Sequence, residues 1–520
     1  MGSLTSHSDE YPRGWRLGLL TVGICLTIFL ISLDFSIIAT AIPSITTEFH
    51  SLEDVGWYGS AYLLTAASSQ LLMGKIYTCL GVKWVFLTAL LVFEVGSAIC
   101  GAAPNSLALI LGRAIAGCGN AGLLSGALLI LAHSVPLERR PLFTAMTGGT
   151  YGIAAIAGPP LGGLFTDKLS WRWCFYINLP IGAVTFLVVA FFFDSPAQSD
   201  APTGQTFFAS IKRFDPLGTM VFMPAVVCVL LALQWGGITY EWNSGTIIAL
   251  FVLFGVLLLA FLAIQWRAQD NATVPPRLFR LRTIWSCAIY EFTLGAGFFI
   301  FVYYVPIWFQ AVQGVSAIES GKRTLPMLIG NIVGTTLAGV AVAAIGQYAP
   351  FMILGTILTS VGGGLLTLFN PGITSAAWIG YQVLVGVGIG VGWQQPIVAV
   401  QTVVGMEDVP TATAILSFAQ TIGGSLFISV AQSVFSSRLT QDLAAKAPGL
   451  DPSLVLDGGA SNLAGYVPRQ YLSAVISAYS DGLTRTFVVG TALAALSLIG
   501  SMCVEWRSVK GKKVETGIAA

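Results

Sequence analysis

Charge is the scarcest property of this chain. Only 9% of its 520 residues are Asp, Glu, Lys or Arg, against about 25% in soluble domains. A water-soluble enzyme of this length could not cover its surface with so few charges, so that class is excluded. The net charge of +1 says nothing about partners, and no basic run suggests nucleic acid. Histidine is rare: His7, His50 and His133 stand apart from one another and from any Cys or acid cluster. The eight cysteines are scattered, mostly through apolar sequence, without metal-ligand or disulfide spacing. No GxxxxGK[ST] loop is present, so nothing points to an ATP-driven machine. No nucleophile–base constellation stands out. Neither a cofactor nor a metal is expected, and the chain does not read as an enzyme. Residues 1–16 are polar and lack a cleavable signal pattern, so the first apolar helix is expected to act as an uncleaved anchor.

What the chain has instead is apolar length. Hydrophobic residues make up 55% and the mean hydropathy is +0.80. A helix crosses a bilayer with about 20 apolar residues. Candidate spans fall near 17–42, 54–74, 83–101, 107–132, 141–166 and 172–193, then 216–236 and 245–265, then 284–310, 320–346, 350–369, 376–402, 410–436 and 484–504. The fold class is an all-α polytopic membrane protein of about 14 helices, arranged six, two, six. The expected units are an N-terminal tail 1–16, a six-helix bundle 17–193, a linker with two extra spans 194–283, a second six-helix bundle 284–504 and a tail 505–520. The second bundle includes a long loop, 438–482, on the non-cytoplasmic side.

Basic residues favour the cytoplasmic side of short loops. With the N-terminus inside, sixteen Lys and Arg lie on the inner face, eight lie outside, and Arg113 is in the membrane. Both termini are therefore expected in the cytoplasm. The sequon Asn271-Ala272-Thr273 then lies inside and is expected to stay unglycosylated.

Four charges lie inside spans: Asp34, Glu94, Arg113 and Glu291. Each costs about 2.5–3.5 kcal/mol at a helix centre on insertion scales, and such residues usually mark function or pairing. Helix rise puts Asp34, Arg113 and Glu94 about 12, 9 and 10 Å below the outer face, and Glu291 about 10 Å from the inner face. The first three can share a layer. A carboxylate beside an arginine changes its proton affinity when that arginine is displaced or screened. Asp34 is therefore the first candidate proton carrier, with Arg113, Glu94 and Glu291 as further coupling candidates. A purely helix-holding role for these polar groups is the competing reading.

Glycine and proline are concentrated in one apolar segment: Gly148-Gly149-Thr150-Tyr151-Gly152 and Gly158-Pro159-Pro160-Leu161-Gly162-Gly163. A membrane helix tolerates them because neighbouring helices and water re-satisfy freed carbonyls. Small residues also let a second backbone approach closely. Gly152, Gly158, Pro159, Gly162 and Gly163 are thus gating and packing candidates.

These residues resemble the antiporter motif of the major facilitator superfamily, and Trp171-Arg172-Trp173 with Asn178-Leu179-Pro180 resembles its fourteen-span drug:proton antiporter branch. Leu33-Asp34-Phe35-Ser36-Ile37-Ile38-Ala39-Thr40-Ala41-Ile42-Pro43 resembles that branch's first-helix signature. Leu111-Gly112-Arg113-Ala114-Ile115-Ala116-Gly117 is similar to the fourth-helix motif whose arginine is associated with proton transfer. The loop from Gly74 to Lys83 resembles the superfamily's cytoplasmic gating motif, but Thr78-Cys79 stands where an Asp-Arg pair is usual. The resemblance spans about 17–504. It implies two six-helix halves, alternating access, a monomer and a cavity lined by the first, fourth, ninth and twelfth spans. The wording near Tyr303-Tyr304 and Gly392-Trp393-Gln394-Gln395 resembles fungal exporters of toxins and secondary metabolites.

On that implied cavity, the candidate substrate contacts are Tyr290, Phe298, Tyr303, Tyr304, Trp393, Gln394 and Gln395. Aromatic walls with few polar groups suit flat amphipathic ligands. The expected activity is proton-coupled export of amphipathic, aromatic small molecules such as toxins or drugs. The alternative is proton-coupled uptake of a nutrient or iron chelate, and a receptor or membrane enzyme is a third. The expected partners are small molecules, protons and the lipid bilayer. The expected site is the cell membrane, with a vacuolar or vesicle membrane as the other choice.

Overall fold

The computed structural model describes residues 12, 14–50, 54–193, 215–236, 240–269, 272–450, 455, 463 and 467–510. The linker 194–213 and Asn271 of the sequon lie outside the described residues. The first half comprises α1 (Trp15–Phe49), α2 (Val55–Cys79), α3 (Val82–Gly101), α4 (Ser106–Ser134), α5 (Arg140–Lys168), the short α6 (Trp173–Tyr176) and α7 (Asn178–Phe192). The extra pair is α8 (Pro216–Trp235) and α9 (Gly245–Ala268), followed by one turn, α10 (Pro276–Phe279). The second half comprises α11 (Arg282–Gln313), α12 (Ala317–Ile345), α13 (Ala349–Leu366), α14 (Ser375–Trp393), α15 (Gln395–Val403), α16 (Val409–Lys446) and α17 (Arg469–Cys503).

Twelve of the described helices are long and apolar enough to cross a membrane. By length and composition alone this count does not confirm the expected fourteen. The two long helices that fall short are α2 and α5, at 25 and 29 residues. Their sequences spend many positions on Gly, Ser, Thr and Gln, or on Gly, Thr and Pro, which serve packing and lower hydropathy.

Two expected spans are interrupted. Pro180 has no N–H for the Tyr176 carbonyl, and the sixth span breaks at Ile177 between α6 and α7. Pro396 likewise leaves the Gly392 carbonyl without its helical donor, and the twelfth span breaks at Gln394. The segment expected as a loop, 438–482, is helical at both ends: α16 runs on to Lys446 and α17 starts at Arg469. α1 overshoots its expected end at 42 and runs to Phe49. There Glu48 accepts from Trp171 Nε1 at 2.6 Å and Arg172 Nη1 at 2.9 Å, while Arg172 Nη2 donates to the Ala103 carbonyl at 2.8 Å. Trp171 first, and then Arg172, hold the Glu48 carboxyl below the usual carboxylate range.

The two halves repeat one packing scheme. In the first, α1 packs on α5 and α7, α4 on α2 and α3, and α3 on α7. In the second, α11 packs on α16 and α17, α14 on α12 and α13, and α13 on α17. Helix for helix these are the same pairs. The halves meet reciprocally, α2 against α16 and α5 against α12. The pair α8–α9 leans through α8 on α2 and α16, beside that seam.

Candidate functional site

The buried polar centre of the first half is built from α1, α2, α3, α4 and the start of α7. Asp34 and Arg113 are both fully buried, and Arg113 Nη1 donates to Asp34 Oδ2 at 2.5 Å. Arg113 Nε donates to the Tyr58 carbonyl at 2.9 Å, and the guanidinium lies 4.3 Å from the Tyr62 ring centroid. Asp34 Oδ1 accepts from Asn178 Nδ2 at 2.8 Å, and the same amide nitrogen is 3.2 Å from Ser97 Oγ. An arginine suits this position because its planar fork can serve a carboxylate, a carbonyl and an aromatic face together.

The expected layer of three charges is therefore assembled as a bonded pair, Asp34 and Arg113, with Glu94 beside it rather than in it. Both Glu94 carboxyl oxygens are buried without a hydrogen-bond partner. They press against Gly182 of α7, where an added Cβ would lie 1.7 Å from Oε1. Glu291 belongs to a separate site in the second half. Its Oε2 accepts from Gln420 Nε2 of α16 at 2.7 Å, and its Oε1 has no partner.

Asn178, Ser97, Tyr58 and Gln420 were not among the sequence candidates. Asn178 had a signal, a lone amide next to Pro180 inside an apolar segment, since a buried amide needs a partner. Gln420 gave the same cue in α16. Ser97 and Tyr58 carry no such cue, because Tyr58 contributes its backbone carbonyl and serines are common in membrane helices.

The glycine-rich helix α5 has two working faces. Towards α1, a Cβ at Gly158 would lie 2.0 Å from Ser36 Oγ, and one at Gly162 would lie 2.6 Å from the Ile37 carbonyl oxygen. Towards α12 of the other half, a Cβ at Gly152 would meet Ile332 at 2.6 Å. Gly163 faces open space. The side chain of Pro159 lies outside the described residues.

The aromatic candidates divide. Phe298 and Trp393 meet edge to face at 4.7 Å, and the Gln394 amide stands where a Cβ on Gly148 of α5 would be 2.7 Å away, between the halves. Gln395 donates from Nε2 to the Val391 carbonyl at 3.3 Å, and its Oε1 is buried without a partner. Tyr290 and Tyr304 are instead core residues. Tyr290 OH donates to the Met352 carbonyl at 3.3 Å, and Tyr304 OH bonds the Ile428 carbonyl and Gln432 Oε1 at 3.3 and 3.1 Å. Tyr303 is 52% exposed and reaches Tyr304 rather than Trp393.

Residues 24–428 match the Major Facilitator Superfamily. An aspyridones efflux protein of Neocamarosporium betae is 65% identical over 510 residues, covering 98% of this chain and 90% of that protein. An MFS-type efflux pump of Trichophyton rubrum is 55% identical over 510 residues, covering 98% of this chain and 95% of its own. Among solved structures, a proton:xylose symporter bound to 6-bromo-6-deoxy-D-glucose superposes with a TM-score of 0.59 at 14% identity, over 93% of this chain and 94% of that one. At that identity the likeness speaks for the fold alone. The reciprocal six-helix halves, the match over most of the sequence and relatives of 55–65% identity agree: this multi-pass membrane protein belongs to the Major Facilitator Superfamily.

Proposed function

We propose that the chain exports amphipathic, aromatic small molecules in exchange for protons, by alternating access. The observation that carries this reading is the sealed Asp34–Arg113 pair on α1 and α4. A buried ion pair is weak as a source of stability, because desolvation offsets most of the attraction. Its presence is better explained by a cycle in which the pair is broken and remade. The relatives named as efflux pumps supply the direction of transport.

In this mechanism Asp34 takes a proton when the bundle opens on the outer side. Its hold on Arg113 then lapses, and Arg113 relaxes towards the cavity. Substrate entering from the cytoplasm lies against Trp393, Phe298 and the Gln394 amide, next to α5. Gly158 and Gly162 let α5 slide on α1 while Gly152 follows α12. Glu291 with Gln420 is a second proton-sensitive contact, in the other half. The termini are cytoplasmic and the chain works as a monomer in the cell membrane.

The test uses proteoliposomes with an imposed pH gradient. Aspyridones are added first, because a relative is named for them, and other flat hydrophobic compounds follow. Wild type should collapse the gradient when substrate is added, and Asp34→Asn should not. Proton-coupled export that survives in Asp34→Asn overturns the assignment.

A further inference from the structure

We propose that Glu94 is a further proton-binding station in the first half, coupled to Asp34 of α1 through the seam between α3 and α7. The proposal rests on the proton-coupled reading and deepens it. Asp34 turns one oxygen to Arg113 and the other to Asn178. The Asn178 amide nitrogen is shared with Ser97 of α3, and its Oδ1 is buried with no donor. Ser97 and Glu94 are three apart on α3, so they lie one turn apart on one face, as do Asn178 and Gly182, four apart on α7. The seam therefore carries two polar rungs: Ser97 against Asn178, and Glu94 against Gly182. Only glycine leaves room for the second, since a Cβ at Gly182 would overlap the Glu94 carboxyl.

Both Glu94 oxygens are shut from solvent and receive no hydrogen bond. An ionised carboxylate without a donor is strongly disfavoured in such a place. Ionisable side chains near this level include Asp34 on α1, Tyr58 and Tyr62 on α2, Arg113 on α4, and Cys174 and Tyr176 on α6, with Cys100 on α3 itself; α7 carries none. Arg113 is bonded to Asp34, so it is not committed to Glu94.

Asp34, joined to the seam through Asn178, and Glu94 within it resist ionising together, and their protons leave as a coupled pair. While Asp34 is ionised, Glu94 keeps its proton. When Asp34 takes a proton from water at the opened outer side, an O–H bond forms there and the restraint on Glu94 falls. The Glu94 O–H bond then breaks and its proton passes to water that enters the seam as the bundle opens, so one proton is taken from water and one is returned to it. Asn178 is the positioning residue that keeps the two sites in register.

The test needs no transported compound. The purified full-length protein in lipid is titrated with acid and base while infrared difference spectra follow its protonated carboxyl groups. A band lost in Glu94→Gln, and retained in Glu291→Gln, identifies Glu94. In Asp34→Asn that band should titrate at lower pH by about one unit, a tenfold change in proton affinity. Asn178→Ala should shift the Asp34 band without removing either. A Glu94 band that does not titrate, or whose midpoint is the same in wild type and Asp34→Asn, overturns the proposal. Should Glu94→Gln not fold, Glu94→Asp moves the same band and serves in its place. The export reading fails separately, by absence of substrate-driven gradient collapse.

Discussion

Arg113 satisfies three groups at once: the Asp34 carboxylate of α1, and the Tyr58 carbonyl and Tyr62 ring of α2. Its Nη2 is the one nitrogen of the fork that is buried without a partner. Removing one member of such a pair strands the other, at a cost of about 3–5 kcal/mol. Arg113→Gln should therefore lower the thermal unfolding midpoint in detergent clearly. The double variant Asp34→Asn/Arg113→Gln should recover part of that loss, because no charge is left buried. Equal destabilisation in the single and double variants would show that the pair is not the unit described here. Both members were legible in the sequence as charges in apolar helices. Their depth was less legible: α1 runs two turns beyond its expected end, fastened there by Glu48 to Trp171 and Arg172. The partners Asn178 and Ser97 come from helices far apart in sequence, and no periodicity in either reports that contact.

The helix α5 separates packing from composition. Its glycines look alike in sequence, but the structure gives them different neighbours. Gly162 faces the backbone of α1 through the Ile37 carbonyl, which cannot rotate away, whereas Gly163 faces open space. Gly162→Ala should lower transport at least about tenfold, equivalent to about 1.4 kcal/mol at the rate-limiting barrier. Gly163→Ala should leave transport unchanged and add up to about 1 kcal/mol of stability through helix propensity. Transport assays paired with unfolding midpoints check both; an active Gly162→Ala would remove the close approach from the mechanism. Sequence alone marked the helix and its small residues but not which of them touch, because the contacted face depends on rotation about the helix axis. The same holds for the aromatic candidates. Tyr290 and Tyr304 fill the core of the second half, Trp393 meets Phe298 in that half, and Gln394 reaches the other half, although all four sit in similar apolar surroundings. The broken sixth and twelfth spans were hidden for another reason: one proline within a long apolar run does not change its hydropathy.

At the scale of the molecule, reciprocal contact of α2 with α16 and α5 with α12 means that the halves can separate only if both seams open. The seams are tight near the end that carries the termini. There a Cβ at Gly74 would meet Ala414 at 2.6 Å, a Cβ at Gly339 would lie 2.8 Å from the Pro141 carbonyl, and Arg140 Nη1 reaches Gln401 Oε1 at 3.3 Å. The motif from Gly74 to Lys83, expected as a loop, is helical as far as Cys79 and lacks the usual Asp-Arg pair, and the segment after the extra helix pair contacts it. Asp215 binds Gln265 and the Thr273 amide and hydroxyl, which sets the chain from Ala272 onward. Lys75 of the first half then donates to the Ala272 carbonyl at 2.9 Å. Arg277 forms a two-pronged pair with Asp408, at the head of α16 in the second half, at 2.7 and 2.9 Å. The extra pair thus does more than lengthen the chain, since it places a strap across both halves at the closed end. A partly exposed ion pair contributes about 1 kcal/mol, and loss of a buried amine's hydrogen bond costs about 1–3 kcal/mol. Together they bias the closed end by about 2 kcal/mol or more, which is about thirtyfold in population. Lys75→Met/Arg277→Ala should therefore open that end more often. Ala414, fully buried against Gly74 in this state, reports the opening when changed to cysteine. Its labelling by a thiol reagent should speed up about tenfold or more in the strap variant. Arg277→Lys, which keeps the charge and loses the second prong, should fall between the two. Unchanged labelling in the strap variant would mean that the seams alone keep this end shut, and that the extra helices have no part in gating.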